Sequence, residues 1–305
     1  MSTKKAKYNE VYISGEIVDI SNAKIKNQDQ SDEKMSFTMK VDTGDGEIVT
    51  INFDNNKLGY DGNEDSKYVS ALKIYEEGLT RTQNGQGDII NCSCKVSNNR
   101  YYSEGKLVDY RTIKGEYCNR QKEGKQITPG QIWRVDALVK GFEDKEDSQG
   151  KYLEVELLIN DYISVNTGKV KGCNLAVRIH NQNAILGFKE MYDIGSIGKM
   201  WGVFKEAVIQ EEIKKRGFGK GIQARPQVER WMELEGGDAS YNTVYDENTL
   251  EIKEVRNLTD SNHPFSVDNI EKMQTTINEY LEKSKEKDAT KMANTQTVNN
   301  SDVPF

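Results

Sequence analysis

Alternating apolar and polar residues fill three stretches, Val11-Tyr-Ile-Ser-Gly15-Glu-Ile17-Val-Asp-Ile20, Met35-Ser-Phe37-Thr-Met39-Lys-Val41 and Glu47-Ile48-Val-Thr-Ile51-Asn-Phe53. This alternation is typical of β-strands with one buried face. The turn Thr43-Gly-Asp-Gly46 joins the last two stretches and favours a tight hairpin. Together they predict a three-stranded meander, with a glycine inside its first strand.

A helix and two further strands complete this first unit. Tyr68, Leu72 and Tyr75 recur at helical spacing within residues 65–78, and strands are predicted over residues 88–96 and 107–115. Three strands, a short helix and two strands is the element order of a five-stranded OB barrel.

The same order returns in the second part of the chain. Strands are predicted over residues 131–141, 152–159, 173–179, 196–204 and 227–234, with a short helix over residues 183–192. We therefore predict a mainly β fold with two tandem OB-like five-stranded barrels, at residues 1–120 and 121–235. Alternation alone leaves a sandwich as the alternative.

The last seventy residues are more polar. A connector and a C-terminal helix are predicted for residues 236–287, with one short strand over residues 250–255. Ser266 and Asp268 can cap the helix, whose apolar stripe consists of Ile270, Met273, Ile277, Tyr280 and Leu281. The stripe fits packing on the second barrel or self-association. Residues 288–305 are predicted to form a disordered tail because they offer little to bury.

Composition narrows the class of protein. The chain has 305 residues and a formal charge of −7, of which residues 236–305 hold six excess negative charges. A near-neutral body can still gather Lys and Arg on one face, so nucleic acid stays a candidate partner. No apolar run approaches the roughly 20 residues that cross a bilayer. The start lacks a signal peptide, so we expect a soluble cytoplasmic protein without membrane association. Its four cysteines have no CxxC spacing and are expected to be buried thiols.

The loops between strands one and two and between strands four and five form the walls of the binding face of an OB barrel. In the first predicted barrel these loops combine cations, which hold phosphates, with rings, which stack on bases. The residues concerned are Lys24, Lys26, Lys34, Arg100, Tyr101, Tyr102 and Lys106.

The later loop of the second predicted barrel has the strongest internal signal for binding. Five cations and one phenylalanine lie among flexible glycines, beyond Lys205 and before Arg230: Lys214, Lys215, Arg216, Phe218, Lys220 and Arg225. This composition suits contact with a phosphate backbone, although a solvated charged loop is the plain alternative. A Walker A loop is excluded because Lys220 precedes Gly221 and no Gly-Lys-Ser/Thr follows.

Aromatic residues of the second predicted barrel could either stack on bases or fill the core. Phe142 and Tyr152 flank a charged hairpin and are predicted to be exposed, while Trp133 could serve either role. Catalysis has little support. The two histidines, His180 and His263, are far apart in sequence, and no motif gathers carboxylates for a metal, so neither an enzyme nor a cofactor is predicted.

The final residues, Asp302-Val303-Pro304-Phe305, put a ring with a free carboxylate at the end of a polar tail. Such an end can fill an apolar pocket whose rim has a cation, and Pro304 lowers the ordering cost. The tip resembles the acidic tip, typically Asp-Asp-Ile-Pro-Phe, of bacterial single-stranded DNA-binding proteins. It has one acid beside the hydrophobic pair where that family has several. The bacterial chains resemble one OB domain plus a tail, so their tetramer is not carried over.

This resemblance implies a protein, phage-encoded and acting in the host cytoplasm, that coats single-stranded DNA. It also implies that the tip recruits replication, recombination or repair proteins. The internal loops agree with that expectation. A virion structural or assembly protein that uses OB-like barrels for protein contacts is the alternative, and a metal-dependent nuclease is a third hypothesis. Whether identical subunits assemble stays open.

Overall fold

A computed structural model describes residues 9–44, 47–59, 61–163, 170–209, 227–249, 251–260 and 263–299. The fold is mainly β, as predicted, and ends in a long helix. The elements in chain order are β1 (Asn9–Lys26), β2 (Lys34–Asp42), β3 (Ile48–Asn56), α1 (Ser66–Glu77), α2 (Arg81–Asn84), β4 (Ile89–Ser103), β5 (Lys106–Arg120), β6 (Gly130–Asp147), β7 (Gly150–Ile163), β8 (Val170–Ile179), α3 (Gln182–Met191), β9 (Ile197–Ile209), β10 (Gln227–Gly237), β11 (Thr243–Tyr245), β12 (Ile252–Val255) and α4 (Val267–Asn299).

Strands β1 to β5 pair in a closed order, here called the first cycle. β1 pairs with β2, β2 with β3, β3 with β5 in parallel, β5 with β4, and β4 with β1. Closure brings the backbone of β1 very near that of β2. A Cβ added at Gly15 would lie 1.9 Å from the carbonyl oxygen of Asp42. The glycine inside the first strand therefore permits the close approach.

Strands β6 to β10 repeat this order and form the second cycle. β6 pairs with β7, β7 with β8, β8 with β10 in parallel, β10 with β9, and β9 with β6. The two cycles are joined by an antiparallel ladder between β1 and β6, in which Val11 lies opposite Trp133. One ten-stranded sheet therefore contains both cycles.

The main core runs through both cycles and consists of the apolar side of each alternating strand. The buried face of α1 consists of Tyr68, Ala71 and Ile74, and the side chain of Asp65 caps the helix. The sequence predicted a buried stripe of Tyr68, Leu72 and Tyr75. Because Tyr75 is 40% exposed, the buried face of the helix is rotated relative to that prediction. All four cysteines are free and buried.

Helix α4 packs on the second cycle and then reaches the first. Met273 is fully buried, and Ile270 and Ile277 pack on a second, smaller core cluster with Phe265. Ser266 Oγ accepts the N–H of Asn269 at the start of the helix. Further along, Asp288 accepts the N–H groups of Glu104 and Gly105 at 3.0 and 2.8 Å, in the turn between β4 and β5.

The prediction of a disordered tail from residue 288 was wrong up to Asn299, because α4 continues to that residue. The two hydrogen bonds of Asp288 fix the helix on the first cycle, and the residues that follow include good helix formers such as Ala and Lys. In the described part of the chain, no helix combines the length and the apolar character needed to cross a membrane.

Candidate nucleic-acid interface

A groove of about 1050 Å³ lies between the two cycles and is here called the central groove. Strands β3, β4 and β5 form one side of it, and strands from the second cycle form the other. The described residues that line it include five cations and six carboxylates. The cations are Arg100, Arg111, Arg178, Lys205 and Arg230, and the carboxylates are Glu47, Asp109, Glu143, Glu154, Glu156 and Glu206.

Most of these cations are paired. Arg100 Nε lies 2.8 Å from Asp109 Oδ2, and Arg230 Nε lies 3.0 Å from Glu206 Oε2. Both pairs are partly exposed, and exposed ion pairs contribute little to stability. Breaking either pair therefore costs little stability.

One end of the groove is held by a carboxylate that crosses between the cycles. Glu47 of the first cycle binds Lys205 at 2.8 Å and accepts the amide of Gln131 at 2.6 Å. Because Gln131 also bonds both backbone groups of Phe204, the ring of Phe204 is held at the groove wall. This network fixes the spacing of the two sides.

Arg111 differs from the other cations of the groove. Its guanidinium donates to the carbonyl oxygens of Arg230 and Ala176 across the groove, and no carboxylate of the described residues pairs with it. Burial, and next the charge of Arg178, lower the pKa of Arg111 to about 10. It is still charged at neutral pH, so a half-buried cation without a direct ion pair faces the groove. An incoming phosphate would remove that deficit.

Aromatic rings lie beside these cations. Tyr110 is 50% exposed and meets Tyr101 edge to face, with ring centroids 6.2 Å apart. Phe142 lines the opposite wall and packs edge to face on Phe188 at 5.8 Å. Trp231 also lines the groove. Trp231 is 8% exposed with Arg178 over its ring, whereas Tyr110 offers an exposed ring of the kind on which single-stranded nucleic acids stack.

Arg178 contacts a cluster of polar side chains in the second cycle. Its guanidinium lies 4.8 Å from the ring centroid of Tyr152 and binds Asp147 at 2.8 Å. His180 lies between two carboxylates, with Nδ1 2.7 Å from Glu233 and Nε2 3.2 Å from Asp147. Cation–π contact and ion pairs therefore fix Arg178 at the groove floor. None of the described residues forms a group of three or more His, Cys, Asp or Glu suited to a metal ion.

Of the residues predicted from sequence, Arg100 and Phe142 line the central groove. Lys24, Lys26 and Lys34 do not. Lys34 lies opposite Asn56, whereas the groove is lined by the other end of β3, from Ile48 to Asn52. The predicted loop with Arg100 to Lys106 is a strand hairpin, and the exposed Lys106 lies at its tip.

The remaining predicted rings have other roles. Trp133 is fully buried and donates from Nε1 to the carbonyl oxygen of Val203, so of its two predicted roles, stacking on bases or filling the core, the structure supports the core. Tyr152 is 6% exposed beneath Arg178, and its predicted exposure was also wrong. The backbone N–H of Tyr102 donates to Ser284 of α4 at 2.9 Å, and Lys285 lies over its ring.

Several predicted residues lie outside the described residues. They are the loop residues Lys214, Lys215, Arg216, Phe218, Lys220 and Arg225 and the tip residues Asp302, Val303, Pro304 and Phe305. The sequence analysis missed Tyr110, Arg111 and Arg178, which lie within strands and belong to no charge run. The signal that could have found them is a cation or ring on the polar face of a long strand.

Fold and groove define a mainly β protein whose two five-strand cycles share one mixed-charge groove. A family model described as YorF matches residues 7–287, and the chain belongs to the YorF family. None of the curated proteins matches it. The chain is similar in structure to the wild-type single-stranded DNA-binding protein of Thermus aquaticus, with a TM-score of 0.43, 10% identity, and 77% of this chain and 94% of that chain covered. The chain is also similar to a deletion mutant of the same protein, with a TM-score of 0.43, 9% identity, and 78% of this chain and 97% of that chain covered. At this TM-score neither likeness assigns a function to this chain.

Proposed function

We propose that this protein binds single-stranded DNA in the central groove without reading its sequence. The observation that carries the proposal is Arg111, a half-buried cation that pairs with no carboxylate of the described residues, in a groove that Tyr110, with its half-exposed ring, also lines. Cations that bind phosphate and rings that stack on any base give affinity without base readout. The groove residues hold no catalytic role in this proposal.

The finer architecture belongs to the same proposal. Each five-strand cycle is an OB-like barrel, divided near residue 120, and the strand lies between the two barrels. The closed pairing order and the helix inserted before the fourth strand support this interpretation. The loop from Lys214 to Arg225 connects β9 to β10, and both strands contribute residues to the groove. We propose that this loop adds phosphate contacts.

Fluorescence anisotropy tests the proposed activity. A labelled oligo-dT and the matching duplex are titrated at low and high salt, with and without magnesium. We expect preference for the single strand, no cleavage with magnesium, and a log–log salt slope to which the groove cations contribute about −2, since about three phosphates at roughly −0.7 each would be neutralised there. Equally weak binding to both forms would remove the proposal.

Two variants locate the site. Arg111→Met should weaken binding about tenfold to a hundredfold, because a charge-assisted contact contributes about 1.5 to 3 kcal/mol. Tyr110→Ala should weaken it by about 1 to 3 kcal/mol through lost stacking. Tyr75→Ala is the matched control, since Tyr75 is 40% exposed on α1 outside the groove. Equal losses for Tyr110→Ala and Tyr75→Ala would contradict this placement.

We further propose that the tip, Asp302 to Phe305, recruits replication, recombination or repair enzymes of a phage-infected host. Deleting these four residues should leave DNA affinity intact or raise it, while abolishing pull-down of partners. A virion assembly protein would instead bind other structural proteins and show no salt-dependent DNA binding.

A further inference from the structure

The central groove continues into a second, smaller cavity. This cavity of about 190 Å³ lies between α4 and strands β4, β5 and β8, and is here called the helix cleft. Asn98, Arg100 and Asn174 line both spaces. Groove and cleft therefore meet at these three side chains, which form a wall common to both.

Two buried polar atoms at this junction make no hydrogen bond with the described residues. Among the described residues, the buried side-chain atoms without a hydrogen bond are Asn98 Oδ1 and Arg100 Nε. Arg100 Nε lies close to Asp109, but its N–H does not point at the carboxylate. Native proteins satisfy most buried polar atoms, so one acceptor and one donor side by side indicate a ligand that supplies both. A nucleotide does so, with base N–H groups and phosphate oxygens.

The helix cleft beyond the junction has an excess of positive charge. Lys114 and Lys171 line it together with Asp161. Lys171 Nζ lies 3.7 Å from Asp161, whereas Lys114 pairs with no carboxylate of the described residues. Tyr280 of α4 adds a ring that is 60% exposed. Two cations and an accessible ring match the needs of one more nucleotide.

We infer that the bound single strand leaves the central groove over Asn98 and Arg100 and enters the helix cleft. There Lys114 and Lys171 bind a phosphate and Tyr280 stacks on a base. Arg100 Nε donates to an oxygen of the nucleotide at the junction, and Asn98 Oδ1 accepts from its base. This inference rests on the proposed function and adds a second subsite to it, one wall of which is the C-terminal helix.

Two oligomer lengths test the second subsite in the full chain. A short oligo-dT of about 4 nucleotides fits one part of the path, and one of about 16 nucleotides can reach both. Lys114→Gln combined with Lys171→Gln should leave the short oligomer unaffected. For the long oligomer the affinity should fall about tenfold and the salt slope should drop by about 0.7, because one phosphate contact is lost. Tyr280→Ala should show the same length dependence.

Lys122→Gln combined with Lys125→Gln is the matched control, because it removes two exposed charges that line neither space. This control variant should change the affinity for neither oligomer. Equal effects of the cleft variants on both lengths, or none on either, would overturn the second subsite while leaving groove binding intact. Failure of the wild-type protein to bind either oligomer would instead remove the proposed function and this inference with it.

Discussion

The first and second cycles pair their strands in the same order but stabilise their first hairpins with different polar side chains. Each set of ion pairs and hydrogen bonds around one carboxylate, Glu33 or Asp147, is here called a hairpin lock. In the first cycle, Glu33 accepts from the hydroxyl of Tyr68 and binds Lys57 at 3.1 Å. In the second, Asp147 binds Arg178 and His180. The first lock faces α1, whereas the second also supports a cation of the central groove.

This difference indicates that strand order and site chemistry are specified separately. Alternation of apolar residues and the close approach at glycines determine the pairing, while polar side chains vary freely on the other face. The second cycle uses that freedom to support Arg178 on Tyr152 and Asp147. The first cycle contributes Arg111, which donates to carbonyl oxygens of its neighbour.

The largest expected effect is a difference in stability between two glycine substitutions, one in the first strand of each cycle. Gly15→Ala would place a Cβ 1.9 Å from the carbonyl oxygen of Asp42. We therefore expect the free energy of unfolding to fall by more than about 4 kcal/mol, or the protein to fail to fold. Gly141→Ala in the second cycle meets no atom within 4 Å and should change stability by about 1 kcal/mol at most. Chemical denaturation measures both, and similar losses would mean that Gly141 is equally crowded.

A smaller effect is expected at the hairpin locks. Asp147→Asn should cost about 1.5 to 3 kcal/mol at neutral pH, because hydrogen bonds to a charged group are lost. Burial alone would raise the pKa of Asp147, but the N–H of Gln149, then His180 and Arg178, lower it. A lowered pKa gives stability that is present at neutral pH and is lost in acid. The difference between wild type and variant should therefore shrink below pH about 3.9.

Glu33→Gln is the counterpart in the first cycle. The hydroxyl of Tyr68, the N–H of Asp29 and then Lys57 lower the pKa of Glu33, so its effect should also fade in acid. Only Asp147→Asn should weaken DNA binding, since only that lock supports a groove cation. Urea denaturation at several pH values and anisotropy at neutral pH measure the two readouts. Equal loss of DNA binding would contradict the assigned difference.

The smallest effect concerns the surface cations of the two cycles. Changing Lys214, Lys215, Arg216 and Lys220 to Gln should reduce the salt slope by up to about 2.8, at roughly 0.7 for each phosphate contact. The same change at Lys24, Lys26 and Lys34 should leave the slope unaltered, because that hairpin lies away from the groove. An unchanged slope in the first variant would place the loop off the path of the strand.

The sequence predicted the strands well because each depends on local alternation. It failed at Tyr152 and left the role of Trp133 open, since alternation cannot distinguish a core ring from a ring that lines a groove. It missed Arg111 and Arg178 because they lie on strands of different cycles, and only the folded chain brings their charges together across the groove. Contacts between strands far apart in sequence leave no local pattern.

The ladder between β1 and β6 also determines how the protein can move and unfold. Six consecutive residue pairs, from Asn9 and Val135 to Ser14 and Gly130, join the cycles through backbone hydrogen bonds. This ladder restrains the motion of the two cycles relative to each other. Separating them would expose the unpaired edges of both strands at once. We therefore expect both cycles to melt in one cooperative calorimetric transition.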